Sequence, residues 1–302
     1  MTADHGCRPA HAPDAAASLA PLRRWLNGRL TGDAAVWFNE SADALAAGAG
    51  ERVVYRVTGE VGRRLGQADL SPSADELAEA DAARPGWDPS DWSIDQTARV
   101  ALALATAIGD PAAFHARFDL LCRTADVAEQ IAFGRGLALL PKAESWQARA
   151  GELVRTNIRP VFESIAHRNP YPAEHFDENA WNQMVLKAVF VDSPLDPIQH
   201  LDERANPRLT TMLCRYAGER WAASRIITPE LWRCVGRAAD DAAIDMLERC
   251  GERGRPEDRR AAALAMVDSG RSLPASAEAG LAEELAAARA GAYGWPDLVP
   301  AG

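Results

Sequence analysis

Hydrophobic residues recur along most of this 302-residue chain at intervals of three and four positions, the spacing that places them on one face of an α-helix. Leu19, Leu22 and Leu26 show this spacing near the start of the chain. Segment 51–66 is rich in β-branched residues, yet its valines keep the same spacing, so it is also predicted to be a helix. Because no strand pattern alternates with these segments, the sequence predicts an all-α fold.

Residues that cap helix N-termini indicate where several of these helices begin. The capping-box pairs are Ser73 with Glu76, Ser93 with Gln96 and Asp126 with Glu129. Asn206 stands directly before Pro207, and a proline suits the first turn of a helix. Pro160 lies inside the long helical segment 144–167 and is predicted to kink it, because proline removes one backbone hydrogen bond.

The predicted helices are short and are joined by short loops, an arrangement typical of helix pairs stacked into an α-solenoid. The sequence therefore predicts one all-α domain over residues 18–291, built as an irregular, HEAT-like α–α superhelix without a fixed repeat length. Residues 1–17 are predicted to be a disordered tail and residues 292–302 a C-terminal tail. Within the domain, helix 177–190 is predicted to lie in the interior, with Trp181 deeply buried.

Composition and charge narrow the classes of function. The chain carries 33 Lys and Arg against 43 Asp and Glu, and this net charge of −10 disfavours binding to the phosphate backbone of nucleic acids. Its five cysteines show no metal-ligand spacing and are expected to be reduced. There is no run of about 18 apolar residues and no secretory signal pattern at the start. We therefore expect a cytoplasmic protein that does not span a membrane and does not bind nucleic acid.

A dense polar stretch from His167 to Arg225 interrupts a chain that is otherwise devoted to packing. It contains three histidines and a concentration of Asn, Gln, Arg and carboxylates within two predicted helices and two loops. Asn179 and Asn182 lie within a helix although asparagine is a poor helix former, so they require hydrogen-bonding partners. A ligand is one such partner. The alternative is a buried network in which the polar side chains satisfy one another.

The ligand hypothesis assigns each of these residues a role. His175 and His200 are the candidate acid–base groups, because histidine titrates near neutral pH, and Lys187 is a third candidate catalytic residue. Arginines bind the anionic part of the substrate, since they contact phosphates and carboxylates in a bidentate manner. The candidate substrate-binding residues are Asn169, Tyr171, Asn179, Asn182, Gln183, Arg204, Arg215, Glu219 and Arg220. Arg215 and Glu219, four residues apart, are also predicted to form an ion pair.

Other chemistries have weaker support in the sequence. The stretch contains histidines and carboxylates, but no HExxH or HxH spacing brings two of them together, so no metal site is predicted. A GxSxG elbow for a Ser-His-Asp triad is absent, as is an aspartate-rich run for magnesium and diphosphate. The sequence identifies no cofactor.

Several segments of the chain resemble the EboA family, which is named for a bacterial gene cluster. They are RPGWDPSDWSIDQTAR, RTNIRPVFESIAHRNPYPAEHFDENAWNQMVLKAVF, LDERAN and ERWAASRIITPELWRCVG, and the resemblance extends from about Ala34 to about Val267. Neighbours in the cluster resemble a UbiA-type prenyltransferase, a sugar-phosphate isomerase and a cyclitol synthase. The resemblance therefore implies a cytoplasmic role in making or handling a specialised metabolite, without implying catalytic residues. The chain departs from the family pattern at Gly218, where the pattern has histidine, and at His200, where it has glycine.

These observations support two hypotheses of function. In the first, the chain binds a phosphorylated or isoprenoid-type small molecule in a polar pocket between helices and transforms it by acid–base chemistry. In the second, the chain is a noncatalytic helical-repeat adaptor that assembles pathway enzymes near a membrane prenyltransferase, since solenoids offer extended concave surfaces. The expected partner is a small-molecule substrate in the first case and other pathway enzymes in the second.

Overall fold

The computed structural model of the chain describes residues 14–253 and 255–298. Within these residues every regular element is a helix, and the one pairing of extended backbone is an isolated antiparallel bridge between Asp69 and Ser93. The all-α prediction is confirmed. None of the helices in the described ranges is both long and apolar enough to cross a membrane.

The described part of the chain contains seventeen α-helices and three short 3-10 helices. The α-helices are α1 Ala15–Arg29, α2 Gly32–Ala46, α3 Glu51–Leu65, α4 Ala74–Ala83, α5 Ile94–Gly109, α6 Phe114–Thr124, α7 Val127–Gly136, α8 Gln147–Arg155, α9 Arg159–Ala166, α10 Tyr171–His175, α11 Glu178–Phe190, α12 Pro207–Ala222, α13 Leu231–Gly236, α14 Asp241–Glu252, α15 Pro256–Asp268, α16 Ala275–Gly280 and α17 Ala282–Arg289. The 3-10 helices are Leu137–Leu139, Ala143–Trp146 and Trp295–Leu298.

The contacts that residues make with one another divide the chain into two compact units. Unit 1 covers Met1–Asp177 and unit 2 covers Glu178–Gly302. Each unit contains its own set of packed helices. The single domain over residues 18–291 and its HEAT-like superhelical arrangement stay predictions.

Helix α5 lies at the centre of unit 1. Thirteen of its sixteen residues are buried, because alanine, leucine and valine occur on every side of the helix. Helices α1, α2, α3 and α7 pack against it. Its polar residues Asp95 and Arg99 lie one turn apart and form a buried ion pair at 2.5 Å.

The predicted helix caps are present and satisfy backbone donors that have no partner inside the helix. The Glu76 N–H donates to the Ser73 hydroxyl at 3.2 Å, and the Ser73 N–H donates to the Glu76 carboxylate at 2.8 Å. Asp126 and Glu129 make the same reciprocal contacts at 2.8 and 3.0 Å. These capping-box predictions are confirmed.

The predicted kink at Pro160 is wrong. Segment 144–167 is not one long helix, because it contains the end of a 3-10 helix, then α8, a break after residue 155, and α9. Pro160 lies in the first turn of α9. A proline is well tolerated there, since the first N–H groups of a helix have no partner within it.

The predicted tails lie partly outside the described residues, which exclude 1–13 and 299–302. Helix α1 begins at Ala15 rather than at residue 18, because the Asp14 carboxylate caps it by accepting a hydrogen bond from the Ala16 N–H at 2.9 Å. Near the other end, Trp295 and Leu298 are buried in a 3-10 helix that contacts α15. This part of the predicted C-terminal tail is therefore packed.

In unit 2, helix α15 packs against α13, α14 and α17, and seven of its thirteen residues are buried. Its buried residues 261–266 are mostly alanines, whose small side chains let neighbouring helices come close. The approach is tightest at Gly236, where an added Cβ would lie 2.5 Å from the Ala265 carbonyl oxygen. Glycine is required at this position by the contact between α13 and α15.

Helix α11 confirms the helix predicted over 177–190. Trp181 has an exposed fraction of 0%, as predicted, and Met184, Val185 and Ala188 are buried along the same helix. Helix α12 packs against α11. The apolar spacing of α11 thus determined which residues enter the core of unit 2.

Candidate functional site

The NPYP turn is held in place by its own polar side chains. Asn169 Nδ2 donates to the carbonyl oxygens of Gly134 at 3.0 Å and Ser164 at 3.3 Å. Its Oδ1 accepts a hydrogen bond from the Tyr171 N–H at 3.0 Å. The Tyr171 hydroxyl donates to the Ala143 carbonyl at 2.8 Å, and burial raises the pKa of Tyr171. Both predicted substrate-binding side chains therefore bind the main chain, as the buried-network alternative describes.

A buried ion pair joins this turn to an earlier motif of the chain. Arg84, in the RPGWDPSDW segment, is 1% exposed and pairs with both oxygens of the Glu174 carboxylate, one contact being 3.0 Å. The Arg84 Nε also donates to the Ala138 carbonyl at 3.1 Å. A second pair between the same two segments joins Arg168 to Asp88 at 3.0 Å. Two of the segments that carry the family resemblance are thus in contact within unit 1.

His175, a predicted catalytic residue, lies beside this ion pair. Its side chain is 7% exposed, its ring centroid is 4.6 Å from that of Tyr171, and its Nε2 is 3.7 Å from the Glu174 carboxylate. That nitrogen has no hydrogen-bond partner among the residues described. Burial lowers the pKa of His175, and the charges of Glu174 and Arg84 act in opposite directions on it. A mainly neutral imidazole with an unused nitrogen is suited to proton transfer, so His175 stays a candidate acid–base group.

We expect His175 to make the folded chain less stable on the acid side of neutrality. Its pKa is lower in the folded state than in the unfolded state, so the unfolded chain binds the proton more readily. Stability is therefore lost as the pH falls through the ordinary value of 6.5 towards the lower folded value. His175→Gln should flatten this part of a plot of urea midpoint against pH. His200→Gln, at an exposed histidine, is the matched control, and an equal effect of both substitutions would contradict the prediction.

In unit 2, Asn182 is fully buried and pairs with a second asparagine. Asn182 Nδ2 donates to Asn206 Oδ1 at 3.1 Å, and Asn206 Nδ2 donates to Asn182 Oδ1 at 2.8 Å. Asn206 Oδ1 also accepts a hydrogen bond from the Leu209 N–H at 2.9 Å, which caps α12 as the sequence predicts. The asparagine inside α11 is thus explained by pairing between two helices, without a ligand.

The other predicted side chains on and near α11 differ in exposure. Arg204 lies over the Trp181 ring, with its guanidinium carbon 4.6 Å from the ring centroid, which is a cation–π contact. Asn179 is exposed and accepts a hydrogen bond from Arg208 at 3.2 Å. Gln183 is exposed, whereas Lys187 is half-buried and its pKa is lowered by that burial.

The loop between α11 and α12 is held by residues of a later motif. Buried Glu230 accepts a hydrogen bond from the Asp196 N–H at 2.9 Å, and Arg233 donates to both oxygens of Asp202 at 2.8 and 3.1 Å. His200 lies in this loop, is exposed, and has a φ of +57°. Left-handed backbone favours glycine, so a residue with a side chain is less favourable than glycine at this position.

The predicted ion pair between Arg215 and Glu219 is wrong. Both side chains are exposed on α12, and neither forms an ion pair within the described residues. Solvent competes strongly for exposed pairs of this kind, which contribute little to stability. Arg220 instead donates to the Ile226 carbonyl at 2.8 Å and lies 5.9 Å from the Tyr216 ring centroid.

The predicted site residues are divided between the two units. Asn169, Tyr171 and His175 belong to unit 1, and the remaining nine belong to unit 2. Their roles in binding and catalysis stay predictions. Across the described ranges, no group of three or more His, Cys, Asp and Glu side chains is arranged to hold a metal ion.

A pocket of about 320 Å³ lies in unit 1 among α6, α7 and α8. Its lining residues are Cys122, Arg123, Gln130, Phe133, Leu137, Arg149, Glu152 and Leu153. The volume is within the range of small-molecule sites, near its lower end. The apolar walls come from Phe133, Leu137 and Leu153, and charged side chains lie at the side formed by α6 and α8.

The charges beside the pocket balance one another. Arg149 donates to Asp119 at 2.7 Å and also pairs with Glu152, while Arg123 donates to Asp119 at 3.1 Å. Burial by itself raises the pKa of Asp119, but the hydrogen bonds and charges of the two arginines outweigh this effect and hold the pKa below its usual range. Two cations and two carboxylates therefore leave the charged side of the pocket without a net charge.

Sequence reasoning missed this pocket. Cys122 lines the pocket, although the sequence indicated it only as a small core residue. Burial raises the pKa of its thiol to about 12. The charges at Asp119, Arg123, Arg149 and Glu152 have helical spacing and were the available signal. Such spacing is equally typical of solvated helix faces, so it does not by itself distinguish a pocket.

Comparison with known proteins places the chain in a family. A family model described as Metabolite traffic protein EboA matches residues 19–236. The matched region includes the pocket and all of the predicted site residues. A search of curated proteins and a search of solved structures each found no match.

Proposed function

The chain belongs to the EboA family, and we propose that it contributes to metabolite traffic by binding an uncharged, largely apolar small molecule in the pocket among α6, α7 and α8. The pocket itself carries this proposal, because it is a concave site of about 320 Å³ in which the apolar side chains of Phe133, Leu137 and Leu153 face paired charges on α6 and α8. At roughly 30 Å³ for each water-sized group, it has room for about ten non-hydrogen atoms. A small isoprenoid-type molecule matches both this size and this lining.

The charge balance supports an uncharged ligand over a phosphorylated one. A phosphate or diphosphate is bound by arginines whose donors are free to face it. Here Arg149 and Arg123 already donate to Asp119, and Arg149 also pairs with Glu152. An anionic ligand would have to displace these carboxylates, so the diphosphate should add little to binding.

The same residues support binding over transformation. The Cys122 thiol, whose pKa is raised to about 12 by burial, is protonated at neutral pH and is therefore a poor nucleophile. Arg149 is held between two carboxylates and keeps its proton. His175, His200 and Lys187 do not line this pocket, and a catalytic role for them requires a different site.

A pair of probes with the same apolar body tests the proposal. We expect geraniol to bind the purified chain in isothermal titration calorimetry and geranyl diphosphate to bind no more than about tenfold more tightly, because the charged side chains are already paired. Cys122→Phe places a ring in the pocket and should weaken geraniol binding by roughly tenfold or more. Cys122→Ala leaves the pocket open and should retain binding.

Thermal unfolding of both variants checks that the helices remain folded. Retention of geraniol binding in folded Cys122→Phe would overturn the assignment of the site. Much tighter binding of the diphosphate than of the alcohol would show instead that the ligand is anionic. If neither probe binds while pathway enzymes co-purify with the chain, the adaptor hypothesis becomes the better explanation.

A further inference from the structure

We infer that a second copy of this chain binds the exposed face of α12 in unit 2, forming a two-fold symmetric dimer. The α12 outer surface, as we call it, consists of Arg215, Gly218, Glu219 and Ala222, and the exposed Phe190 and Ile226 lie on segments that adjoin α12. This surface belongs to unit 2, whereas the pocket among α6, α7 and α8 belongs to unit 1. The inference therefore does not rest on the proposed function.

The spacing of the residues places the four α12 members on one side of the helix. They follow one another at intervals of three, one and three positions, whereas Leu209, Leu213 and Ala217 are buried on the other side. Gly218 lies between Arg215 and Ala222 on this side and is partly exposed, and a Cβ built there meets no atom within 4 Å. Nothing in the described residues covers α12 at this point, so the backbone of another helix has room to approach it.

The charged side chains of this surface have unused hydrogen-bonding capacity. Elsewhere in the chain, residues four apart on a helix do pair, as Arg159 does with Glu163 at 2.6 Å. Arg215 and Glu219 have the same spacing but form no ion pair with any described residue. In a two-fold arrangement with antiparallel α12 helices crossing near Gly218, Arg215 of each copy faces Glu219 of the other. The positive charge of Arg215 and the negative charge of Glu219 are then both paired through one symmetric contact.

Two exposed apolar side chains lie on segments that adjoin α12. Phe190 is 70% exposed and Ile226 is 67% exposed, the highest values for large hydrophobic residues in the described ranges. Phe190 ends α11, which packs against α12, and Ile226 follows α12 after a short turn. Arg220 fixes that turn by donating to the Ile226 carbonyl at 2.8 Å. Exposed apolar groups held in place beside arginines are typical of protein interfaces.

Charge identifies a second copy as the partner. The surface carries both an arginine and a glutamate, so its best complement is a surface with the same two charges in the reverse order. A second copy of the chain supplies that order through symmetry. Nucleic acid or an anionic membrane would instead meet Glu219 and a chain whose net charge is −10.

Sedimentation velocity over a series of protein concentrations tests the inference. We expect the full chain to sediment as a monomer–dimer equilibrium. Gly218→Trp adds a bulky side chain where the monomer has open space, so it should weaken the dimer by roughly tenfold or more while the far-UV circular dichroism stays the same. Gly59→Trp is the matched control, because Gly59 is likewise a helical glycine with no atom within 4 Å of its Cβ position.

Charge exchange tests the pairing itself. Arg215→Glu places like charges opposite each other and should weaken the dimer, while Arg215→Glu combined with Glu219→Arg should restore it. A wild-type chain that is monomeric at every concentration would overturn the inference. Equal loss in Gly218→Trp and Gly59→Trp, failure of the double exchange to restore the dimer, or assembly beyond a dimer would also overturn it.

Discussion

Replacing Glu174 by alanine is expected to lower the free energy of unfolding by roughly 3–5 kcal/mol, because it leaves a buried arginine without its counter-charge. Arg84 is 1% exposed and directs three of its donor groups to Glu174 and to main-chain carbonyls of Ala138 and Pro85. Without the carboxylate, the remaining carbonyl contacts do not neutralise the guanidinium charge. Urea denaturation followed by circular dichroism measures the change.

Two further variants separate the buried charge from simple loss of contacts. The double substitution Arg84→Met with Glu174→Leu removes both charges and should cost less than Glu174→Ala alone, since no unpaired charge is left inside. Asp43→Ala breaks the exposed pair with Arg23 and should cost about 1 kcal/mol or less. A larger loss in the double variant than in Glu174→Ala would contradict the explanation.

Trp181→Ala lowers the stability of unit 2 by a similar amount, roughly 3–5 kcal/mol, through the cavity that it leaves. Trp181 is 0% exposed on α11, and Arg204 lies 4.6 Å above its ring, so the substitution removes both core packing and a cation–π contact. The indole Nε1 has no hydrogen-bond partner in the described residues. The loss is therefore one of apolar and ring contacts, and it is measured as a shift in the urea midpoint.

Trp181→Phe distinguishes these contributions. A phenyl ring keeps most of the buried surface and removes the unpaired N–H donor, so this variant should retain much of the stability lost in Trp181→Ala. Gln183→Ala, at an exposed position of the same helix, should change the stability by about 0.5 kcal/mol or less. Equal destabilisation by the phenylalanine and alanine variants would contradict this explanation, because phenylalanine keeps most of the buried apolar surface.

The candidate site was less predictable than the helices. Asn182 was correctly identified as a residue that requires a partner, and Asn169 was predicted to bind the substrate, but their partners are another asparagine and main-chain carbonyls. The sequence shows that a residue is polar, but it does not show whether the side chain binds a ligand or a neighbouring helix. The pocket beside Cys122 was missed because its apolar residues resemble ordinary helix packing and its charged residues resemble a solvated helix face.

The sequence by itself determined the all-α class, the family, the capped starts of α4 and α7, and the burial of Trp181. Apolar spacing and helix caps involve residues a few positions apart, so they can be read along the chain. Only the tertiary structure decided that Arg84 meets Glu174, ninety positions later, and that Asn182 meets Asn206. It also decided that α6, α7 and α8 leave a pocket between them. These features depend on how helices distant in sequence pack together, which local spacing does not specify.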